Sequence, residues 1–368
     1  MNKHQYALEP NKFPWLDASR YSFSLGMHTP EFTFLSGHTA SRYIKEKDIV
    51  SAAGTLEEQL DIVYKKIKSI IAISESQSIL HFIEYITPEA AEEIELINQT
   101  REKFLQNEQV AHTQIMSNRL LRKEAHIEIE IIYNNLSNSG DLLYISKTGK
   151  TFATLEEQAE NIYKEVDDEI KQLGMNWDNV VNTTEFIRKD ILHEYKETNS
   201  IRKKYFSAPY PASTGIIMKK LMEDNQLIQI HFTLSKTSKQ IVNPYKKWHP
   251  SLTFSPAIKA NNLIFISGLA AFDYATGDVL FPGDIEKQTE YIFKETNKIL
   301  KACGGSLKNI VRTVDYVASD GLPSYAKTDK IRKKLLSSPF PTSTGIVCER
   351  LIRKGLMIEI ETIALLEE

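Results

Sequence analysis

Thr55-Leu56-Glu57-Glu58-Gln59 decides the fold, because it recurs as Thr154-Leu155-Glu156-Glu157-Gln158 and again as Asp284-Ile285-Glu286-Lys287-Gln288. At the same distance beyond each lies an apolar–aromatic–Lys triplet: Val63-Tyr64-Lys65, Ile162-Tyr163-Lys164 and Ile292-Phe293-Lys294. An acid–aromatic–aliphatic triplet follows as Glu84-Tyr85-Ile86, Glu185-Phe186-Ile187 and Asp315-Tyr316-Val317. Next come Asn98-x-x-Arg101, Asn199-x-x-Arg202 and Asp329-x-x-Arg332, then alternating segments at Ile127–Ile131, Ile228–Phe232 and Ile358–Thr362. The second and third copies keep a constant register of 130 residues. The first and second differ by 99 at the Gln and by 101 from Glu84 and Glu185 onward, so one two-residue indel relates them. Ordered recurrence of this kind marks tandem structural units.

Each copy has the same order. An aromatic-led strand opens it (Phe32–Ser36, Leu142–Ser146, Leu263–Ser267). A long amphipathic helix follows, with apolar residues at helical spacing as in Ile162, Val166, Ile170 and Leu173. Then come a strand such as Val311–Val317, a shorter helix around the shared Arg, and a Pro-x-Ser-Thr-Gly loop leading into the last strands. The order ββαβαββ predicts an α+β unit with helices on one face of a mixed sheet. Residues 1–21 are expected to be a tail with one possible anchor, Trp15. The copies span 22–132, 133–235 and 251–368, the second shortened by the hairpin that the others carry before their first helix. Residues 236–250 form a connector whose Pro244, Trp248 and Pro250 predict a packed segment.

The composition narrows the function. Among 368 residues, 45 Lys and Arg face 48 Asp and Glu, a net charge of −3 without the basic excess of nucleic-acid or membrane-surface binders. Hydrophobic residues at 42% suffice for real cores. Two cysteines, Cys303 and Cys348, rule out a disulfide framework and a Cys-based metal site. MNKHQYALEP lacks a secretory apolar region, and the longest mostly apolar run, Leu263–Phe272, is far short of the ~20 residues a membrane helix needs. A soluble, cytoplasmic protein is expected. The nine histidines form no His-x-x-x-His pair, and no Gly-rich phosphate loop or Gly-x-Ser-x-Gly elbow occurs. Neither a metal nor a cofactor is therefore expected.

The third copy resembles the Rid (YjgF-like) family, known for imine and enamine deamination. The resemblance covers nearly all of Leu252–Leu366. It rests on Phe254-Ser255-Pro256-Ala257-Ile258-Lys259-Ala260, Phe265-Ile266-Ser267-Gly268, Gln288, Phe340-Pro341-Thr342-Ser343-Thr344 and Ile358-Glu359-Ile360-Glu361-Thr362-Ile363-Ala364. Copies one and two match mainly through the periodic positions. Rid proteins are homotrimers with pockets between subunits. The resemblance thus implies a pseudo-trimer folded from one chain, with pockets between copies that are free to diverge, and a monomer or low-order homo-oligomer overall.

The resemblance also implies pocket residues. The family's loop Arg, which grips a substrate carboxylate, is replaced by His112, Ser213 and Ser343. The Cys found two residues later in many members is replaced by Gln114, Gly215 and Gly345. The proton-handling Glu stands as Glu128 and Glu359 but is Gln229 in the second copy. Such a carboxyl in a partly apolar cleft can act as general acid; the competing reading is an outward-facing strand residue. The family's aromatic position matches Phe23, Tyr133 and Phe254, of which only Tyr133 can donate a hydrogen bond. Arg101, Arg202 and Arg332, at one place in every copy, can replace the lost clamp, against a solvated helix face. Ser213-Thr214-Gly215 and Ser343-Thr344-Gly345 can bind an oxyanion through N–H and hydroxyl groups, against a plain turn.

Three functions compete. One is an enzyme resembling chorismatases, which cleave the enolpyruvyl ether of chorismate to pyruvate and a cyclic product, with Glu359 as proton donor to a small anionic substrate. The second is a Rid-type deaminase, set back by the absent loop Arg. The third is a non-catalytic ligand-binding or scaffold protein with decayed pockets, as Gln229 suggests for one of them.

Overall fold

The structure, a computed structural model, describes residues 5–9, 21–74, 76, 78–106, 108–136, 140–150, 154–246, 248, 252–273 and 276–366. Trp15 lies outside them. The chain forms two compact bodies, one of residues 1–140 with 337–347 and the other of residues 141–336 with 348–368.

All three copies are present as α+β units. In the first, the sheet runs Tyr6–Ala7, Gly26–His28, Phe32–Leu35, Ile127–Asn134, Ser78–Ile86, Ala111–Met116. In the second, four strands run Ala212–Met218, Val180–Arg188, Ile228–Ser235, Leu142–Thr148. In the third, Lys239–Val242, Ala257–Ala260, Leu263–Ala270, Ile358–Leu365 and Ile310–Ala318 follow one another. The long helices are Leu56–Ile71, Leu155–Gln172 and Ile285–Ala302. In the second copy, Ile162, Tyr163, Val166 and Ile170 of that helix pack with Ile145, Ile230 and Phe232 of the sheet in one buried core. Among the described residues no helix is long and apolar enough to cross a membrane.

The repeated pentapeptide starts each long helix. Thr55 and Thr154 accept from the N–H of Glu58 and Glu157, whose carboxylates reach back to the Thr N–H; Asp284 caps Lys287 alone. Such caps satisfy N–H groups that lack a partner within the helix. The Gln that ends the motif is fully buried in every copy and clamps the turn before the last strand. Gln288 Nε2 donates to Gly355 O (2.8 Å) while its Oε1 accepts from Met357 N–H (2.8 Å). Gln158 bridges Asn225 and Leu227 in the same way, and Gln59 bridges Glu124 and His126.

Two segments placed outside the repeats belong to the sheets. The tail supplies Tyr6–Ala7, paired antiparallel with Met27 and His28, and the connector supplies Lys239–Val242, paired with Ala257–Ala260. Each covers an otherwise open sheet edge, which explains why a short polar run adopts strand geometry. The connector's aromatics are packed, since Trp248 Nε1 donates to Phe254 O at 3.0 Å and its ring meets Phe254 edge-on at 5.4 Å. Tyr133, read as opening the second copy, sits inside the last strand of the first, opposite Thr33 and Ile79. Among the described residues the shortened second copy has no strand before Leu142–Thr148 in its sheet.

Replacing Gln288 by Leu strands the Gly355 carbonyl and the Met357 N–H. We expect it to cost about 1–3 kcal/mol, measured by urea denaturation, with Gln158→Leu giving a loss of the same order.

Candidate functional site

The acid and Arg shared by all copies form one buried device. Arg332 Nη2 donates to both oxygens of Asp315 at 2.5 Å, and Tyr325 OH adds a third bond at 2.8 Å. Arg202 is likewise bonded to Glu185 and to Tyr195 OH, and its Nη1 reaches Thr253 Oγ1 at 3.3 Å. Arg101 donates to Glu84 at 2.7 Å, and His112 Nε2 and Gln114 Nε2 each lie 3.0 Å from the same oxygen. Burial works against the Arg202 charge, yet Glu185 holds its pKa well above the ordinary value. Arg202 and Arg332 are therefore neither on a solvated face nor unpaired: the strand acid inside their own copy engages each guanidinium.

The Ser-Thr-Gly segments are strands rather than turns. Ser213, Thr214 and Gly215 lie in Ala212–Met218, in parallel register with Thr183, Thr184 and Glu185; Ser343, Thr344 and Gly345 lie in Thr342–Cys348. As strand residues they do not form a nest of outward N–H groups.

Instead, each docks onto the opening strand of another copy through one repeated pattern. In the second body, Ser255 N–H donates to Pro211 O (2.9 Å), Ser213 N–H to Ser267 Oγ (2.8 Å) and Gly268 N–H to Thr214 Oγ1 (3.0 Å). Ser267 Oγ in turn donates a hydrogen bond to Ser255 O at 2.6 Å. In the first body, Ser24 N–H donates to Pro341 O (3.0 Å), Ser343 N–H to Ser36 Oγ (2.9 Å) and Gly37 N–H to Thr344 Oγ1 (2.9 Å). Ser36 Oγ donates to Ser24 O at 2.7 Å. The half-buried Phe23 and Phe254 sit immediately beside these seams.

Both seams hold a glutamic acid. Glu128 and Glu359 are 6% and 7% exposed, so neither is an outward-facing strand residue. A methyl group added to Gly37 would stand 2.0 Å from Glu128 Oε1 and 2.7 Å from Thr344 Cγ2. At Gly268 it would stand 2.1 Å from Glu359 Oε1 and 2.8 Å from Thr214 Cγ2. Carboxyl, glycine backbone and threonine thus converge twice. Burial pushes both carboxyl groups up to about 8, reinforced by Glu130 beside Glu128 and by Glu361 beside Glu359, while Arg122 works the other way on Glu128. The second acids are held separately: Glu361 accepts from Thr184 Oγ1 (2.8 Å) and pairs with Arg312 (3.4 Å), and Glu130 accepts from Tyr85 OH (3.2 Å). A neutral carboxyl that gains charge only above neutrality can donate a proton at pH 7.

Gln229, at the matching position of the second copy, is 1% exposed and 3.2 Å from His231 Nε2. Burial pushes His231 down to about 3, so its ring is neutral. Cys348 is 1% exposed and burial pushes its thiol up, which leaves it unreactive. Tyr133 is buried in its strand, and burial raises its phenol pKa. Among the described residues no group of His, Cys, Asp and Glu is arranged to hold a metal ion.

Sequence reading missed Lys66. Lys66 is buried (2% exposed), and its ammonium donates to Thr39 O at 2.8 Å and to Ser41 O. A signal existed: seven residues past the repeated Gln, the other copies carry Glu165 and Glu295.

Residues 132–233 and 246–366 match the family model described as Endoribonuclease L-PSP, together more than half of the chain. A RutC family protein of Pyrococcus abyssi is 30% identical over 127 residues, covering 34% of this chain and 97% of that protein. Reactive Intermediate Deaminase A, chloroplastic, of Arabidopsis thaliana is 33% identical over 132 residues, 36% of this chain and 68% of that protein. A crystal structure of a chorismatase superposes with a TM-score of 0.55 at 15% identity over 79% of this chain and 94% of that one, a likeness of fold.

Gly268→Ala and Gly37→Ala each force the added methyl into a carboxyl oxygen. Each is expected to destabilise its body by about 1–3 kcal/mol in urea denaturation, and a crystal structure of either variant should show the Glu side chain displaced.

Proposed function

Because this chain belongs to the endoribonuclease L-PSP family, we propose that it is a small-molecule enzyme acting on an anionic carboxylate, cleaving an enolpyruvyl ether such as that of chorismate. The observation that carries the proposal is a buried glutamic acid, Glu359 or its counterpart Glu128, that keeps its proton to about pH 8. The carboxyl proton passes to the terminal methylene carbon, the π pair forming the new C–H bond and leaving an oxocarbenium at the ether carbon. Water adds there and returns a proton to the carboxylate. The resulting hemiketal collapses with cleavage of the ether C–O bond, giving pyruvate and the alcohol. The fold shared with a chorismatase along most of both chains supports this choice, as does the replacement of the loop Arg by Ser213 and Ser343. The net charge of −3 provides no phosphate-tracking excess and favours a small ligand over RNA.

One observation favours a second reading, an enamine deaminase: the relative named a reactive intermediate deaminase is 33% identical over its matched residues. The same acid would protonate an enamine carbon. Release of keto acid from 2-aminoacrylate, without pyruvate from chorismate, would select that reading.

Incubation with chorismate is expected to release pyruvate, and the Glu128→Gln/Glu359→Gln double variant to release none. No release by the unaltered protein overturns the proposal. Since the acid must be protonated, activity should be full below the raised pKa and fall as pH rises through about 8, the opposite of an enzyme that needs the carboxylate as base.

A further inference from the structure

Glu359 has a second acid beside it. Glu359 and Glu361 are alternate residues of the strand Ile358–Leu365, so their side chains share one face and their α-carbons lie about 7 Å apart. Both are buried, at 7% and 5% exposed. Glu361 is anchored on two sides. Arg312 Nη1 lies 3.4 Å from its Oε1, and Thr184 Oγ1 of the second copy donates to its Oε2 at 2.8 Å. The Glu359 carboxyl, set against Gly268 and Thr214, has no hydrogen-bond or ion-pair partner among the described residues. The pair is thus built unequally, one carboxylate tied down and the other left to hold or release a proton.

The three copies vary the two positions together. Glu359-x-Glu361 has the counterpart Glu128-x-Glu130 in the first copy and Gln229-x-His231 in the second. Where the first acid is absent, the second is absent as well. The Arg anchor belongs to the third copy, since its position is His81 in the first and Asn182 in the second. Besides Glu361, the titratable groups facing Glu359 are Tyr316, opposite it on the neighbouring strand, and Cys348, whose thiol burial keeps protonated. On the far side of Glu361, Thr184 stands opposite His231, whose ring is neutral. Glu361 is therefore the charged group that acts on Glu359.

We infer that Glu361 is a positioning residue for the Glu359 acid: a carboxylate fixed on the same strand face by Arg312 and Thr184, which keeps the proton on Glu359 until the substrate takes it. Loss of that proton would leave two negative charges about 7 Å apart in a seam closed to water, with Arg312 engaging one of them. The inference rests on the proposed function for the use made of the acid, but its test does not need turnover.

The test is a carbon-13 NMR titration of the glutamate carboxyl groups in the full chain, with the Glu359 signal identified by its loss in Glu359→Gln. In the unaltered protein its midpoint should lie near pH 8. Glu361→Gln should lower the midpoint by about one pH unit. That variant takes a carboxylate from the buried Arg312, so the Glu361→Gln/Arg312→Gln double variant, which removes both charges, serves as the second test and should lower it as well. Glu130→Gln, at the other seam, should leave it in place. A midpoint that stays fixed in both Glu361 variants while their melting temperatures fall, or that moves equally in Glu130→Gln, overturns the inference. A lowered midpoint in a protein that releases no pyruvate from chorismate would sink the proposed reaction and leave the positioning role standing. A fixed midpoint with pyruvate release lost in Glu359→Gln would do the reverse.

Discussion

A glycine that must leave room for a carboxyl group sets the geometry of both candidate sites. At Gly37 and Gly268 the backbone N–H donates to a threonine hydroxyl while the glutamate presses on the open side of the α-carbon. A side chain at either glycine would separate the two partners. With none present, the strand carrying Ser-Thr-Gly closes onto the opening strand and removes water from the carboxyl. Desolvation then keeps the proton on Glu128 and Glu359 to an unusually high pH. The raised pKa of both carboxyl groups thus follows first from packing, with the neighbouring Glu130 and Glu361 adding to it.

The residues that recur most regularly serve the scaffold rather than the site. Gln59, Gln158 and Gln288 hold the turn before the last strand, where the glutamates sit. Glu84, Glu185 and Asp315 bury the shared Arg. A buried ion pair that loses one partner leaves an uncompensated charge costing about 3–5 kcal/mol, so acid and Arg persist together in every copy. The residues at the candidate site diverge instead. Gln229 replaces the acid in one copy, and Lys66 replaces an acid on the long helix of another.

Much of the fold was legible because its signals are local and periodic: helix spacing after the Gln, alternation in Ile358–Thr362, and the constant register of the copies. What was misread had weak local signal. Tyr6–Ala7 and Lys239–Val242 are too short to announce themselves, and become strands because a sheet edge is open beside them. The Ser-Thr-Gly segments carry turn-forming residues, yet pairing with the Val180–Arg188 strand makes the second copy's segment extended. Tyr133, the second copy's match to Phe23 and Phe254, lies within the Ile127–Asn134 strand, whose apolar pattern runs on without a break.

By itself, the sequence determined that the chain holds three related α+β units, that the second is shortened and has lost its acid, and that Glu128 and Glu359 are the matching positions to examine. These are properties of spacing and residue type, which survive without coordinates. Only the tertiary structure decided that Arg202 and Arg332 are consumed by internal pairs, and that Glu128 and Glu359 are buried against Gly37 and Gly268. Pairing depends on which groups meet in space, and residues 91 positions apart in the chain, Gly37 and Glu128 or Gly268 and Glu359, meet only after the sheet has formed.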